Sequence, residues 1–307
     1  MSKIQKISIS NFKAIQGKKE MDFNGCHAII TGGNDKGKTS FLRGIPDRIR
    51  FIRPSVIVNE NEEHGRGEME LTTGEKFIWE YDNKGKDKLV YIASGGVKQS
   101  VTKDLGEKFF PPVFDIDKFL NSPPKSQVKQ LQQILNVDFS EIEARYLNAY
   151  NERTAKNLDA EILTASQTNV EAQKYVDYIN YKSATEAAKE DAQYADDLVK
   201  QIEEERQKMI EAANFPTGIS INSDGITIDG LPLEKYQISL SKLYITALRI
   251  AALNVGEVRT LYFEASPLDR ANLEQIEQWA NENDLQLLIE RPAFDGGEIT
   301  YEIVETK

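Results

Sequence analysis

The stretch IITGGNDKGKTSFLRGI at positions 29–45 leaves few folds open. An apolar, β-branched run meets glycines at 32, 33 and 37, followed by Lys38, Thr39 and Ser40 and then by helix-forming residues. Glycines let the backbone take positive φ and approach its neighbours closely. The chain therefore turns sharply from a strand into a helix whose first N–H groups have no partner inside the helix. Residues Gly32-Gly33-Asn34-Asp35-Lys36-Gly37-Lys38-Thr39 satisfy GxxxxGK(S/T) without a mismatch. A loop of that form wraps anionic oxygens in backbone N–H groups, and the helix end adds positive potential. Its lysine reaches the β- and γ-phosphates, and its hydroxyl supplies an oxygen to magnesium. At ordinary residue frequencies a chance match in a chain of this length arises roughly once in a hundred. The sequence predicts a nucleotide site lined by Gly32, Gly33, Asn34, Asp35, Lys36, Gly37, Lys38, Thr39 and Ser40, with a nucleoside triphosphate and Mg2+ as its ligands.

Composition narrows the remaining choices. A chain of 307 residues can bury a sizeable core. No apolar run approaches the roughly 18 residues that span a bilayer, and MSKIQKISIS lacks a signal-peptide core. The expectation is a cytoplasmic protein with no membrane partner. One cysteine, Cys26, excludes an internal disulfide and a CxxC zinc hook, and two histidines without neighbouring ligands argue against zinc. Net charge is −11, from 49 acids against 38 bases. A protein of that sign meets DNA only through a local basic patch. Arg43, Arg48, Arg50 and Arg53, opposed only by Asp47, form one candidate. The same arginines could equally pair with acids of the chain.

Periodicity divides the chain in three. Residues 4–12 and 21–31 read as strands, and the helix after the glycine loop should stop near Gly44 and Pro46. Residues 67–72, 76–81 and 89–93 read as antiparallel strands, and the four prolines of 109–124 argue for a loop. From Lys125 to about Ala213, proline vanishes and apolar residues recur at 184, 188, 195, 198, 202, 209 and 212. Such a stripe suits a helix lying along another helix. Ile142, Tyr146, Ala149, Ala160 and Leu163 would face it, with the bend at 166–183. The helix 184–212 would be about 43 Å long, a stubby arm or two packed helices of an ordinary lobe. Residues 186–211 hold nine acids and four bases, which reads as a solvated, repulsive face. Beyond Pro216, two Asp-Gly pairs signal a hairpin. A helix at 239–253, a strand at 258–263, a helix at 270–283 and strands at 285–290 and 298–304 follow. The fold class is α/β: a head made of 1–124 and 216–307, with an antiparallel helical hairpin, 125–215, inserted between its halves.

Several stretches carry a family resemblance. ISISNFKAIQGKKEMDFNGCHAIITGGNDKGKTSFLRGI resembles the first segment of SMC/RecF-type ABC ATPases, a P-loop NTPase group. VFDIDKFLNSPPKSQVKQLQQILNVD resembles their passage from the Q-loop into the first arm helix. YQISLSKLYITALRIAAL stands where the signature motif and its helix stand, and VRTLYFEASPLDRANLEQIEQWANENDLQLLIE where the Walker B strand, D-loop and next βα unit stand. The likeness covers most of the chain and is greatest to short members carried by phages and prophages. It implies that Lys13 approaches the phosphates, that Asn34 meets the γ-phosphate and that Asp269 is the D-loop aspartate. Ser239 becomes the signature serine, which meets a partner head's γ-phosphate, or else a plain helix N-cap. The resemblance further implies a homodimer in the ATP-bound state and a nuclease or recombination partner.

The departures concern catalysis. Ile238-Ser239-Leu240-Ser241-Lys242 lacks both glycines of the usual signature. The Walker B place offers one acid, Glu264, for metal or water. Glu290 stands near the missing histidine's place, and Asp115 at the Q-loop glutamine's, which makes it a metal candidate beside Thr39 and Glu264. Such gaps should cost hydrolysis more than binding. The expectation is a slow ATPase in DNA recombination, repair or replication. The alternative is a non-hydrolysing nucleotide-sensing scaffold whose hairpin docks a protein.

Overall fold

Alternation of buried and open side chains builds the first sheet. The structure is a computed structural model, and it describes residues 2–54, 57–168, 175–213, 215–222, 225–234, 237–293 and 296–304. Strand β1 (Ile4–Phe12) buries Ile4, Ile7, Ile9 and Phe12. It pairs antiparallel with β2 (Ile15–Asp22), placing Ile9 opposite Lys19. The expected strand at 21–31 is thus two strands. The end of β2 and β3 (Ala28–Gly32) are separated by a turn in which Asn24 and Gly25 take φ of 50° and 73°. β2 escapes a hydropathy reading because most of IQGKKEMD is polar and its ladder to β1 defines it.

Helix α1 (Lys38–Ile49) runs through Gly44 and Pro46 rather than stopping there. Pro46 offers no N–H, yet Arg50 N–H still bonds to its carbonyl at 3.1 Å. Burial of Phe41, Leu42, Ile45 and Ile49 outweighs that lost bond. Gly44 serves close packing, since a Cβ there would lie 2.8 Å from the Phe12 ring.

Strands β4 (His64–Leu71), β5 (Lys76–Asp82), β6 (Asp87–Ile92) and β7 (Lys98–Ser100) extend the sheet to the order β2-β1-β4-β5-β6-β7. Helices α2 (Lys103–Phe109) and α3 (Ile116–Leu120) follow, so the proline-rich loop contains a helical turn. Next come α4 (Pro124–Leu135), α5 (Ser140–Thr168), α6 (Tyr175–Ala212) and the hairpin β8 (Ile219–Ile221) with β9 (Ile226–Ile228). Asp224 of that hairpin's turn lies outside the described residues. β10 (Leu231–Pro232), α7 (Leu240–Ala252), β11 (Thr260–Glu264), α8 (Arg270–Glu282), β12 (Gln286–Pro292) and β13 (Thr300–Ile303) complete the chain. Two compact units result: residues 1–123 with 231–307, and residues 124–230.

In the first unit a second sheet has the order β11-β12-β3-β13. β11, β12 and β3 are parallel, and β13 is antiparallel to β3. Gln286 is fully buried and ties the two sheets. Its amide donates to the carbonyls of Ile4 (3.0 Å) and Cys26 (2.9 Å), and its oxygen accepts from Ile4 N–H and the Thr260 hydroxyl at 2.8 Å each.

In the second unit α5 and α6 pack as an antiparallel pair. α6 has 38 residues, about 57 Å. Its first residues, 175–183, are helical rather than part of the expected bend, whose centre, 169–174, lies outside the described residues. Ile142, Ala149 and Ala160 of α5 are buried, with Tyr146 and Leu163 half-buried, as the spacing predicts. On α6 the expected line 188, 195, 202 and 209 faces the seam, and the second line is shifted by one residue. Thr185, Ala192, Ala195, Val199, Ile202 and Arg206 are buried, Ala188 and Met209 half-buried, and Ala184 and Ala212 exposed. One heptad position falls on the polar Thr185 and Arg206, and a hydropathy reading moves to apolar neighbours such as Ala184 and Leu198. Nor is the acidic face left repulsive: Arg145–Glu205, Lys156–Asp191 and Arg206–Glu143 pair across the helices at 2.8, 2.8 and 2.9 Å. No helix among the described residues is long and apolar enough to cross a membrane.

Candidate functional site

The parallel strands end together. Glu264 at the end of β11 is in register with Glu290 of β12, and Pro292 with Gly32 of β3. In open α/β sheets ligands bind outside this carboxyl edge.

The glycine loop is held there by backbone. A Cβ on Gly33 would lie 2.8 Å from the carbonyl of Gly296, and one on Gly32 3.2 Å from Ile299 Cα. Gly33 N–H donates to Gly297 O at 2.8 Å, and Ala293 N–H to Gly32 O at 2.9 Å. Asp35 and Gly37 take φ of 59° and 90°, the left-handed geometry that folds a loop back on itself. Asn34 and Asp35 are exposed, and Lys36 pairs with Glu298 at 3.1 Å. Lys38 opens α1 and is buried, its ammonium donating to the carbonyls of Gly32 and Gly33 at 2.9 Å each. A buried ammonium bound only to neutral carbonyls is a strong draw for an anion. The Thr39 hydroxyl lies 2.9 Å from both carboxylate oxygens of Glu290. Ser40, half-buried, continues the helix.

Glu264 accepts from Ser266 N–H at 2.8 Å and from the Ser266 hydroxyl. Burial raises its carboxyl above the ordinary range, and the charges of Asp117 and Glu290 add to this, against the Ser266 N–H bond and Lys38. Asp117 carries a signal the sequence did not offer. It lies on α3, and Tyr244 of α7 donates to its carboxylate at 3.0 Å. Burial and the charges of Asp117 and Glu264 push the Tyr244 phenol up, keeping it a donor. Asp115, the expected metal candidate, is the N-cap of α3 and accepts from Lys118 N–H at 2.9 Å. One helical turn therefore divides the labour: Asp115 caps, and Asp117 reaches Tyr244. No motif marks Asp117, because its relation to Glu264 arises only when α3 packs on α7.

Lys13 sits at the β1–β2 turn with φ 51°, exposed, its ammonium 5.3 Å from the Phe12 ring centre. Its neighbours Ala14 and Ile15 lie against Gly37, so the turn borders the loop. Ser239 and Asp269 are exposed N-caps of α7 and α8, accepting from Lys242 N–H at 3.3 Å and Asn272 N–H at 2.8 Å. Tyr236, in the signature-like stretch, lies outside the described residues.

The arginine group is largely engaged within the head. Arg48 and Arg53 pair with Asp87, and Arg50 bonds Pro111 O at 2.8 Å and Asp47 at 3.3 Å. Arg43 and Arg50 line a cavity with Phe110 and Tyr262. The reading in which these arginines pair with the chain's own acids therefore describes three of the four.

No cluster of three or more acids, histidines or cysteines among the described residues is spaced to hold a metal alone. Thr39, Glu264 and Glu290 nonetheless supply hard oxygens, and Mg2+ at triphosphate sites is held by one or two such groups together with phosphates. The donor set fits that ion with a nucleotide.

The architecture has a counterpart among solved structures. The Smc head domain with an extended coiled coil from Pyrococcus furiosus, bound to the C-terminal domain of ScpA, superposes with a TM-score of 0.51 at 15% identity. The match covers 99% of this chain and 97% of that one. The chain has the fold of an SMC head. Weaker matches include RecF with ATP, at TM-score 0.44 and 13% identity over 99% of this chain and 98% of that one. The Thermotoga maritima SMC head scores 0.43 at 13% identity, over 99% of this chain and all of that one. No protein-family profile and no curated protein sequence matches the chain.

Proposed function

We propose that the chain is an ATP-binding, SMC/RecF-like ATPase of slow turnover whose heads pair around nucleotide, acting in DNA recombination, repair or replication. The observation that carries this reading is the buried Lys38 ammonium in a loop where backbone blocks any side chain at Gly33. Bound ATP and Mg2+ would supply the phosphoryl group and an electrophilic metal. Lys38 would hold phosphate oxygens, and the Thr39 hydroxyl would be a ligand for the metal. Glu264 would help hold the metal, and Glu290 would orient the attacking water. Ala265, fully buried, follows Glu264 where a second acid would serve, so turnover stays below about 10 per second, the median for enzymes. Ser239 and Asp269, exposed at helix N-termini, are suited to meet a second head's nucleotide.

Calorimetry with ATP and Mg2+ tests the reading. Association is expected, and no heat with either adenine or guanine triphosphate refutes it. Glu290→Gln should slow single-turnover hydrolysis at least tenfold while changing ATP affinity less than threefold. The single acid at the end of β11 favours a second reading, a nucleotide-sensing scaffold. ATP binding with no turnover in the wild-type protein would select it. Failure of DNA to bind, or to stimulate turnover, at low salt would remove the recombination role.

A further inference from the structure

A cavity lies within the head where α1, β11 and the chain after α2 meet. Its volume is about 60 Å3, and one water takes about 10–15 Å3 on the same measure. Phe110 and Phe114 contribute to its apolar wall, and no acid lines it among the described residues. Asn254 and Thr260 reach it with donors already bonded to Pro112 O and Gln286. Arg43, Arg50 and Tyr262 reach it with donors left over. The Tyr262 hydroxyl is buried without a hydrogen-bond partner. Burial pushes the phenol up, which keeps it a donor. Arg43 makes no hydrogen bond or ion pair among the described residues. Arg50 donates from Nε to Pro111 O and from Nη1 to Asp47, and its Nη2 has no partner among them. Buried polar groups in folded proteins are met by protein, water or an ion.

Charge decides between water and an ion. Arg43 and Arg50 bring two positive charges, and Asp47 beside them brings one negative charge and bonds only Arg50. Burial raises the Asp47 carboxyl, against the charges of Arg50, Arg43 and Lys13. Burial lowers Arg50, and the charge of Arg43 adds to this, against Tyr262 and Asp47. Water would satisfy the donors and leave a net positive charge among apolar side chains. An oxyanion satisfies both. We propose that this cavity binds one small oxyanion of the size of inorganic phosphate, held by Arg43, Nη2 of Arg50 and the Tyr262 hydroxyl. Arg43 stands one helical turn past Thr39, and Tyr262 two residues before Glu264. The ion would thus tie the helix that carries Lys38 to the strand that carries Glu264. The cavity shares no residue with the glycine loop, and the proposal does not rest on the nucleotide reading.

The probe is radiolabelled inorganic phosphate, followed by equilibrium dialysis against the full chain carrying Lys38→Met, which silences the glycine loop. One site per chain is expected, with sulfate competing for it and chloride at equal ionic strength leaving it filled. Adding Arg43→Gln should weaken phosphate at least tenfold, and adding Tyr262→Phe at least threefold. Phosphate should also raise the thermal midpoint of Lys38→Met and leave that of Lys38→Met/Arg43→Gln where it was. Should circular dichroism show that Arg43→Gln misfolds, Tyr262→Phe decides alone, and unchanged phosphate affinity there overturns the proposal. So does the lack of any site in Lys38→Met, a site that survives Arg43→Gln in a folded protein, or displacement by chloride as readily as by sulfate. Calorimetry of wild type with ATP is read separately, so its failure would leave a phosphate site at Arg43 standing.

Discussion

The head and the arm use charge in opposite ways. At the carboxyl edge of β11 and β12, Glu264 and Glu290 end in register, and Asp117 adds a third negative charge felt by Glu264. Along α5 and α6, acids and bases answer one another across the seam. Like charges gathered beside a buried lysine are costly unless a cation and an anionic ligand complete them. Opposite charges on a half-open helical pair cost little and set alignment. The difference separates like charges gathered at a sheet edge from opposite charges that set register.

Substitutions can break or sharpen that contrast. The largest effect is expected at Gln286, which supports the edge without touching it. Gln286→Leu strands Ile4 N–H, Cys26 O and the Thr260 hydroxyl, and should cost about 3–5 kcal/mol in urea unfolding. Lys38→Met removes the ammonium and should weaken ATP by about 10–100-fold in calorimetry, or about 1.4–2.8 kcal/mol. In the arm, Arg206→Ala should destabilise by about 1–2 kcal/mol, whereas Arg206→Met should stay within about 1 kcal/mol of wild type, because its packing is kept and the ion pair with the half-exposed Glu143 contributes little. An equal loss in both variants would show that the arm needs charge and not only packing.

Glu264→Gln gives a smaller, pH-dependent effect. Its folded carboxyl titrates above the ordinary value of 4.5, so the folded state binds more protons than the unfolded state between those two values. Stability attributable to this group therefore falls as pH rises through the raised value. The glutamine variant should melt higher than wild type at pH 7, and the gap should close as pH drops below 4.5. Smallest of all, Lys156→Ala should leave the thermal midpoint unchanged within error, since its pair with Asp191 is exposed.

How much was legible in the sequence follows from the same contrast. The loop at Gly32–Thr39 was readable because backbone geometry dictates residue type there: Gly33 faces the carbonyl of Gly296, and any Cβ collides. Glu264 and Glu290 were readable because each ends an apolar run. Asp117 was not, since its partner Tyr244 is 127 residues away. The length of α1 was hidden by Pro46, whose local cost is outweighed by burial against the sheets. In the arm one seam line, 188, 195, 202 and 209, is legible from its period, and the other is not, because Thr185 and Arg206 occupy seam positions that hydropathy assigns to solvent. Gln286 carried no signal, a polar letter in the most buried strand of the head.

The placement of β3 also governs how the protein is made. It lies between β12 and β13, so both its neighbours are residues translated more than 250 codons after it. Gln286 must likewise come back to Ile4 across 282 positions. Strand pairings over such separations form late. On the ribosome the helices α5 and α6 emerge and can zip together while the glycine loop is still unbraced, so the second unit can form before the sheet around β3 is closed.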